Sequence, residues 1–120
     1  MTSQDNRSIE LSLAQLAALD RVMAIAEFTP DGTLLRVNPH YLRLMGYTAQ
    51  EILGRHHSFF CPRPLAESPA YATFWPRLHA GNAHSGIVER IRRDGSSCWL
   101  EATYTPVFDG DGQVCLLYTS

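Results

Sequence analysis

Apolar residues recur at helical spacing near the start of the chain, at Ile9, Leu13, Leu16 and then Leu19 or Met23. A spacing of three to four residues places such side chains on one face of a helix. The pattern predicts an amphipathic helix within residues 1–22. Its apolar face can cover the chain's own domain or contact a second copy, and both interpretations stay open.

Short apolar stretches separated by turn signals predict five strands, at residues 23–28, 33–37, 85–92, 97–107 and 113–119. Asp-Gly pairs lie between the first and second strands and on both sides of the fourth, where tight turns are expected. Within the fourth strand, Leu100, Ala102 and Tyr104 share one face and are predicted to line the core, whereas Trp99 lies on the opposite face.

The middle of the chain predicts helices with recognisable start signals. Asn38-Pro39 precedes a helix at 40–45, because Asn caps helices and Pro fits their first position. Thr48 and Glu51 have capping-box spacing, which predicts a second short helix. After an irregular stretch at 56–64, a longer helix at 70–79 carries one apolar face made of Tyr71, Phe74, Trp75 and Leu78.

This order of elements predicts an α+β fold, with five antiparallel strands and short helices gathered between the second and third strands. We expect residues 1–22 to form an N-terminal helix or cap and residues 23–120 to form the main domain. A chain of 120 residues suits a single hydrophobic core. No phosphate-binding loop or nucleophile elbow appears, so we expect no enzymatic activity.

Composition narrows the classes of partner. The formal net charge is −2, which gives no general attraction to nucleic acid or to anionic membranes. Arg90, Arg92 and Arg93 form an interrupted basic cluster that is predicted to be a solvated hairpin edge. Three cysteines, with no targeting segment and no apolar run of membrane-spanning length, predict reduced thiols, a cytoplasmic location and no direct membrane insertion.

Three stretches carry a family resemblance: EFTPDGTLLRVNPHYLRLMGYTAQEILGRHHSFF at 27–60, FWPRLHAG at 74–81 and GIVERIRRDGSSCWLEATYTPVFDGDG at 86–112. They resemble a PAS domain, and more narrowly the PAS modules of bacterial chemotaxis and aerotaxis receptors. The resemblance covers about residues 23–120. It implies a sheet that cups a cavity, and a sensory role in which a redox state, a gas or a small ligand is read there. The effector domain would lie outside this chain.

The resemblance also implies candidate cofactor-binding residues. Trp75 matches a tryptophan of flavin-binding aerotaxis-type modules, with Tyr71 on the same helix, whereas His84 stands where those modules commonly carry a second tryptophan. His57 or His56 would be the haem ligand if haem is present. The cavity is further expected to be bordered by Asn38, Leu100 and Tyr104.

The cofactor therefore stays open between FAD, haem b and none. A flavin–cysteine photocycle is excluded, because Gly54-Arg55-His56-His57 stands where such modules carry a reactive cysteine. For the histidine pair, the simpler interpretation is that one caps the irregular connection while the other is exposed. His84 is likewise expected at a solvent-facing strand start.

A homodimer is expected through Leu13 and Leu16 of the N-terminal helix and through Trp99 on the outer face of the sheet. Two alternative functions stay open. One is a PAS module without cofactor that serves dimerisation or partner docking. The other is a small ligand-binding enzyme of similar build, which a search for turnover would test.

Overall fold

A computed structural model describes residues 23–112, together with the backbone of residues 114–119. It contains an antiparallel sheet of five strands in the spatial order β2-β1-β5-β4-β3. The strands are β1 (Ala26–Phe28), β2 (Leu34–Val37), β3 (His84–Ile91), β4 (Ser97–Phe108) and β5 (Val114–Thr119). The predicted N-terminal helix, with Leu13 and Leu16, lies outside the described residues.

Four α-helices and one 3-10 helix connect β2 to β3. They are α1 (Pro39–Met45), α2 (Ala49–Ile52), the 3-10 helix (His57–Phe60), α3 (Arg63–Ala66) and α4 (Pro69–His79). The prediction of an α+β fold is confirmed. The stretch at 56–64, predicted to be irregular, contains the 3-10 helix and the start of α3. None of the helices in the described part of the chain has the length and apolar character needed to span a membrane.

Asn38 joins the start of α1 to the chain before β1. Its side-chain oxygen accepts hydrogen bonds from the amides of Tyr41, at 3.0 Å, and Ile25, at 2.9 Å. Its side-chain nitrogen donates to the carbonyl of Met23 at 2.6 Å. Because residues 23–25 are engaged in this way, β1 begins at Ala26 and not at the predicted residue 23. The predicted cap is confirmed.

The core lies between the sheet and the helical connection. Its fully buried apolar side chains are Phe28, Leu34, Met45, Ile52, Phe60 and Leu78. The alternation predicted for β4 is also observed, since Ala102 and Tyr104 are buried whereas Trp99 is 67% exposed. The face of β4 that carries Ala102 and Tyr104 therefore forms the floor of the site described below.

The basic cluster is only in part the solvated hairpin edge that was predicted, since the Arg93 side chain is 61% exposed but Arg90 is buried. Arg90 is only 5% exposed, because it shares the inner face of the β3–β4 hairpin with its cross-strand partner Cys98. Arg92 donates from Nε to the carbonyl of Leu44 at 3.2 Å. Arg93 pairs with Glu51 of α2 at 2.8 Å. Arg92 and Arg93 thus anchor the hairpin to the helical connection, whereas Arg90 bonds within the sheet.

Candidate functional site

His57 is the centre of a buried polar cluster in the interior of the domain. The 3-10 helix turns this residue inward, where its side chain is 2% exposed. Its Nδ1 lies 2.9 Å from the hydroxyl of Tyr71 on α4, and its Nε2 lies 2.9 Å from the hydroxyl of Tyr104 on β4. One imidazole therefore connects the helical connection to the sheet.

Arg90 and Trp75 extend this cluster at its two ends. Arg90 donates from a terminal guanidinium nitrogen to the Tyr104 hydroxyl at 2.9 Å. Trp75 donates from Nε1 to the Tyr71 hydroxyl at 3.0 Å. Among the described residues, every buried side-chain nitrogen or oxygen has a hydrogen-bond partner. Such complete satisfaction makes the cluster rigid, since each member would leave a buried group unpaired if it moved.

Burial holds the pKa of His57 well below its ordinary value, and the positive charge of Arg90 and the neighbouring His56 lower it further. The ring is therefore neutral, with one donor nitrogen and one acceptor nitrogen. One tyrosine hydroxyl therefore donates to the ring of His57, and the other accepts from the ring N–H.

Cys61 lies beside the same cluster. Its sulfur is 3.6 Å from Nδ1 of His57, and its thiol interacts with the Tyr71 hydroxyl. Burial raises the pKa of the thiol, so it stays protonated at neutral pH. Burial likewise raises the pKa of the Tyr71 hydroxyl. The hydrogen-bond chain from Arg90 to Cys61 therefore contains a single formal charge, which is on the guanidinium.

Aromatic rings enclose the imidazole. Phe28 and Trp75 present their rings at 5.3 Å from the His57 ring, both near perpendicular, and Phe74 stacks at 5.7 Å. Trp75 also packs against the β1–β2 turn, where a Cβ added to Gly32 would lie 2.8 Å from its ring. Trp75 is thus a core side chain that forms one wall of the site.

A cavity of about 170 Å³ adjoins this cluster on the inner face of the sheet. Its lining combines a largely apolar surface with the polar groups of the cluster and is formed by Met23, Ala24, Phe28, Tyr41, Leu44, His57, Val88, Arg90, Leu100, Glu101, Ala102 and Tyr104. A second and more open groove of about 560 Å³ runs between α3, α4 and the hairpin, past Tyr71, Phe74, His84 and Trp99. Arg90 contributes to the walls of both.

The structure brings several predicted site residues together. His57, Tyr71, Trp75 and Tyr104 form the buried cluster, and Leu100 lines the inner cavity. Asn38 is buried, and its side chain bonds to the backbone of Met23 and Ile25 before β1 and of Tyr41 in α1.

The two other histidines that were predicted as site residues, His56 and His84, lie at the edge of the cluster, with rings 6.0 Å from that of Trp75 and 6.3 Å from that of Tyr104, respectively. His56 caps the 3-10 helix through the amide of Ser58, and its Nε2 bonds to the carbonyl of Asp31 at 2.9 Å. His84 is exposed in the open groove, with its ring 5.4 Å from that of Phe74. The expectation that one histidine caps is met by His56. The expectation that the other is exposed is wrong, because two tyrosine hydroxyls compensate the burial of His57.

Neither haem nor flavin fits the cavity in this conformation. Both ring nitrogens of His57 are hydrogen-bonded to tyrosines, so neither is available to iron. The volume of about 170 Å³ is below the roughly 300–1,000 Å³ typical of pockets for larger organic ligands. Within the described residues, no group of three or more His, Cys, Asp or Glu side chains is arranged to hold a metal.

Arg90 is the site residue that was missed. A signal for it existed in the sequence, since a tight turn at residues 93–95 pairs Arg90 with Cys98, which shares the face of Leu100 and Ala102 by alternation. The charge of Arg90 led to the expectation of a solvent-exposed side chain, because arginines in proteins are mostly exposed.

Comparisons with known proteins agree with this architecture. Residues 20–120 match the profile of the PAS fold. The chain is 48% identical over 99 residues to the biofilm dispersion protein BdlA of Pseudomonas aeruginosa, which covers 82% of the chain and 24% of that protein. It is 31% identical over 74 residues to the aerotaxis receptor of Escherichia coli, which covers 62% of the chain and 14% of the receptor.

Two solved structures have the same fold. An RNA-binding light-oxygen-voltage receptor aligns with a TM-score of 0.74 at 28% identity, over 94% of this chain and 32% of that one. The PAS domain of a Colwellia psychrerythraea protein aligns with a TM-score of 0.73 at 18% identity, over 89% and 92%. The chain spans about a quarter or less of the curated relatives named above.

Proposed function

This chain belongs to the PAS family, and we propose that it is the sensory input domain of a bacterial chemotaxis- or aerotaxis-type signalling protein. Its relatives include an aerotaxis receptor, whose name describes such a role. The proposed stimulus is a small ligand in the interior cavity, and the output is read by a domain outside this chain. The protein would act in the cytoplasm, and we propose no catalytic step.

One observation carries this proposal, namely that the cavity and the His57 cluster share their walls. Arg90 and Tyr104 line the cavity and also hydrogen-bond within the cluster. A ligand there would alter hydrogen bonds that connect β3 and β4 to α4. Such differential contacts are what a ligand needs in order to shift a conformational equilibrium.

The cofactor residues proposed from the resemblance divide by position. His57, Tyr71, Trp75, Tyr104 and Leu100 would touch or support a ligand inside the domain. His84 would meet only a ligand in the open groove, whereas Asn38 and His56 would act by holding the walls in place.

An absorption spectrum of the freshly purified protein separates the cofactor classes. Flavin bands or an intense haem band would require the cavity to be wider than it is here.

A second candidate function is a dimerisation module that binds no cofactor. Its support is an apolar patch on the outer face of the sheet, where Trp99 is 67% and Ile87 is 75% exposed. Glu89 is paired with Trp99 and Ile87 with Glu101, so the two apolar side chains are diagonal neighbours. We propose that this face, with Leu13 and Leu16, contributes to a homodimer.

The sensor proposal is tested by asking what the protein carries when it is purified from cells. Wild-type protein is denatured and the small molecules that it releases are identified by mass spectrometry. Ala102 lines the cavity, so Ala102→Leu should fill it and abolish the release. Thr103→Leu, on the exposed face of the same strand, is the matched control and should release the same molecules as wild type. Equal release from wild type and Ala102→Leu would contradict the proposal.

A further inference from the structure

Arg90 is a buried cation without a carboxylate partner among the described residues. Its side chain is 5% exposed, and the ion pairs of that part of the chain belong to Arg36, Arg63 and Arg93. Guanidinium groups stay charged in proteins. Burying a charge is costly unless a counter-charge or hydrogen bonds compensate. The two hydrogen bonds of Arg90 offset part of this cost, and an anion beside it would offset more.

The hydrogen bonds of Arg90 leave donor capacity on the guanidinium. One terminal nitrogen donates to the carbonyl of Glu89 at 2.7 Å, and the other donates to the Tyr104 hydroxyl at 2.9 Å. A guanidinium carries five N–H donors in a planar fork that matches a carboxylate. Arg90 also contributes to the wall of the interior cavity. A carboxylate in that cavity would lie within reach of the fork.

We propose that the interior cavity binds a short-chain monocarboxylate, whose carboxylate pairs with Arg90 and whose aliphatic tail lies against the apolar lining. This inference rests on the proposed sensory function and names the ligand class. The tail would contact apolar walls that include Phe28, Leu44, Val88 and Leu100. The hydroxyls of Tyr71 and Tyr104 and the imidazole of His57 already bond to one another, so the tail needs no further polar group.

The volume of the cavity limits the size of the ligand. The cavity of about 170 Å³ is smaller than the roughly 300–1,000 Å³ typical of pockets for larger organic ligands, which favours a small ligand. Butyrate, with four carbons and two oxygens, is a probe of that class. One acidic residue, Glu101, also lines the cavity. It alternates with Leu100 and Ala102 onto the exposed face of β4, so its carboxylate points away.

The test uses butyrate and butyramide, which have the same number of non-hydrogen atoms and differ in charge. Binding of each to the whole chain is measured by titration calorimetry near neutral pH, with thermal denaturation as a second readout. We expect butyrate to bind and butyramide to bind roughly 10- to 100-fold more weakly, as the loss of a charge-assisted hydrogen bond predicts. Equal binding of the two compounds would overturn the proposal.

Variants locate the binding. Arg90→Met should reduce butyrate affinity to the level of butyramide, whereas Arg36→Met, on the exposed surface of β2, should leave it unchanged. If Arg90→Met does not fold, Ala102→Leu tests the location of the site instead, because this variant keeps the Arg90 guanidinium and fills the cavity. Butyrate binding that survives in a folded Arg90→Met or in Ala102→Leu would place the anion elsewhere and overturn the proposal.

The outcomes separate this inference from the sensor proposal. If butyrate does not bind but the purified protein releases another small molecule, the sensor proposal stands and the monocarboxylate inference fails. If nothing binds and nothing is released, both fail.

Discussion

Acidification should destabilise this domain through one residue, His57. Its pKa is held well below the ordinary value of 6.5, first by burial and then by the charge of Arg90. In the unfolded chain the same imidazole returns to an ordinary pKa. Below that pKa the unfolded state therefore binds a proton that the folded state refuses. The free energy of unfolding must fall as the pH is lowered through the window from 6.5 down to the pKa of the folded state.

The magnitude follows from proton linkage. One proton corresponds to about 1.4 kcal/mol for each pH unit between the two pKa values. From pH 6.5 to about pH 5, the loss attributable to His57 is about 2 kcal/mol, provided that the folded ring stays neutral over this window. Domains of this size are stable by only about 5–15 kcal/mol, so the effect is a measurable fraction of the total.

The measurement is urea unfolding followed by circular dichroism at several pH values between about 5 and 7.5. His57→Phe should lower the free energy of unfolding at neutral pH. As the pH is lowered, this free energy should fall less steeply than in wild type, because one fewer proton is taken up on unfolding. Tyr104 keeps its bond to Arg90 and Tyr71 keeps its bond to Trp75 in this variant. His84→Gln, at an exposed position, should retain the wild-type slope. If the unfolding free energies of wild type and His57→Phe change in parallel with pH, the conclusion that His57 is buried and neutral is refuted.

Three further substitutions test the framework around the site. A Cβ at Gly32 would lie 2.7 Å from Nε2 of His56, so Gly32→Ala should cost about 1–3 kcal/mol more than Gly95→Ala, which has a similar positive φ but no atom within 4 Å. Urea unfolding of both variants measures this, and equal losses would contradict it. Asn38→Ala should lose about 2 kcal/mol or more of unfolding free energy, since it removes a cap and two further hydrogen bonds, and an unchanged midpoint would contradict that. Trp99→Ala should change stability by less than about 0.5 kcal/mol but weaken self-association in sedimentation, and an undiminished dimer would count against the proposed interface.

Local signals predicted much of the fold. Asn38 and Thr48 precede helices as expected, because a cap acts on amides two or three residues away and needs no tertiary context. The start of β1 was placed three residues early for the opposite reason. The apolar character of residues 23–25 gives no sign that Asn38, more than ten residues later, engages their backbone.

The centre of the site depended on long-range contacts that periodicity does not report. The burial of His57 requires Tyr71 from 14 residues and Tyr104 from 47 residues along the chain. Composition predicts an exposed or capping histidine. The burial of the imidazole is stabilised only because α4 and β4 each place a tyrosine hydroxyl beside it. Arg90 was misplaced because its charge outweighed its position in the hairpin, although the alternation of β3 already favoured the inner face.

Tyr104 is the residue through which a ligand at Arg90 would reach the rest of the sheet. Its hydroxyl bonds to both Arg90 and His57, and its backbone pairs with His84 of β3 and Thr119 of β5. A carboxylate that draws Arg90 away would alter the hydrogen bonding of that hydroxyl and hence its bond to His57. Tyr104→Phe keeps the ring and the strand pairing, so it should still bind butyrate. It should lose the ligand-dependent change in amide hydrogen exchange that we expect in β5. An exchange response as large as that of wild type would show that the signal does not pass through the hydroxyl.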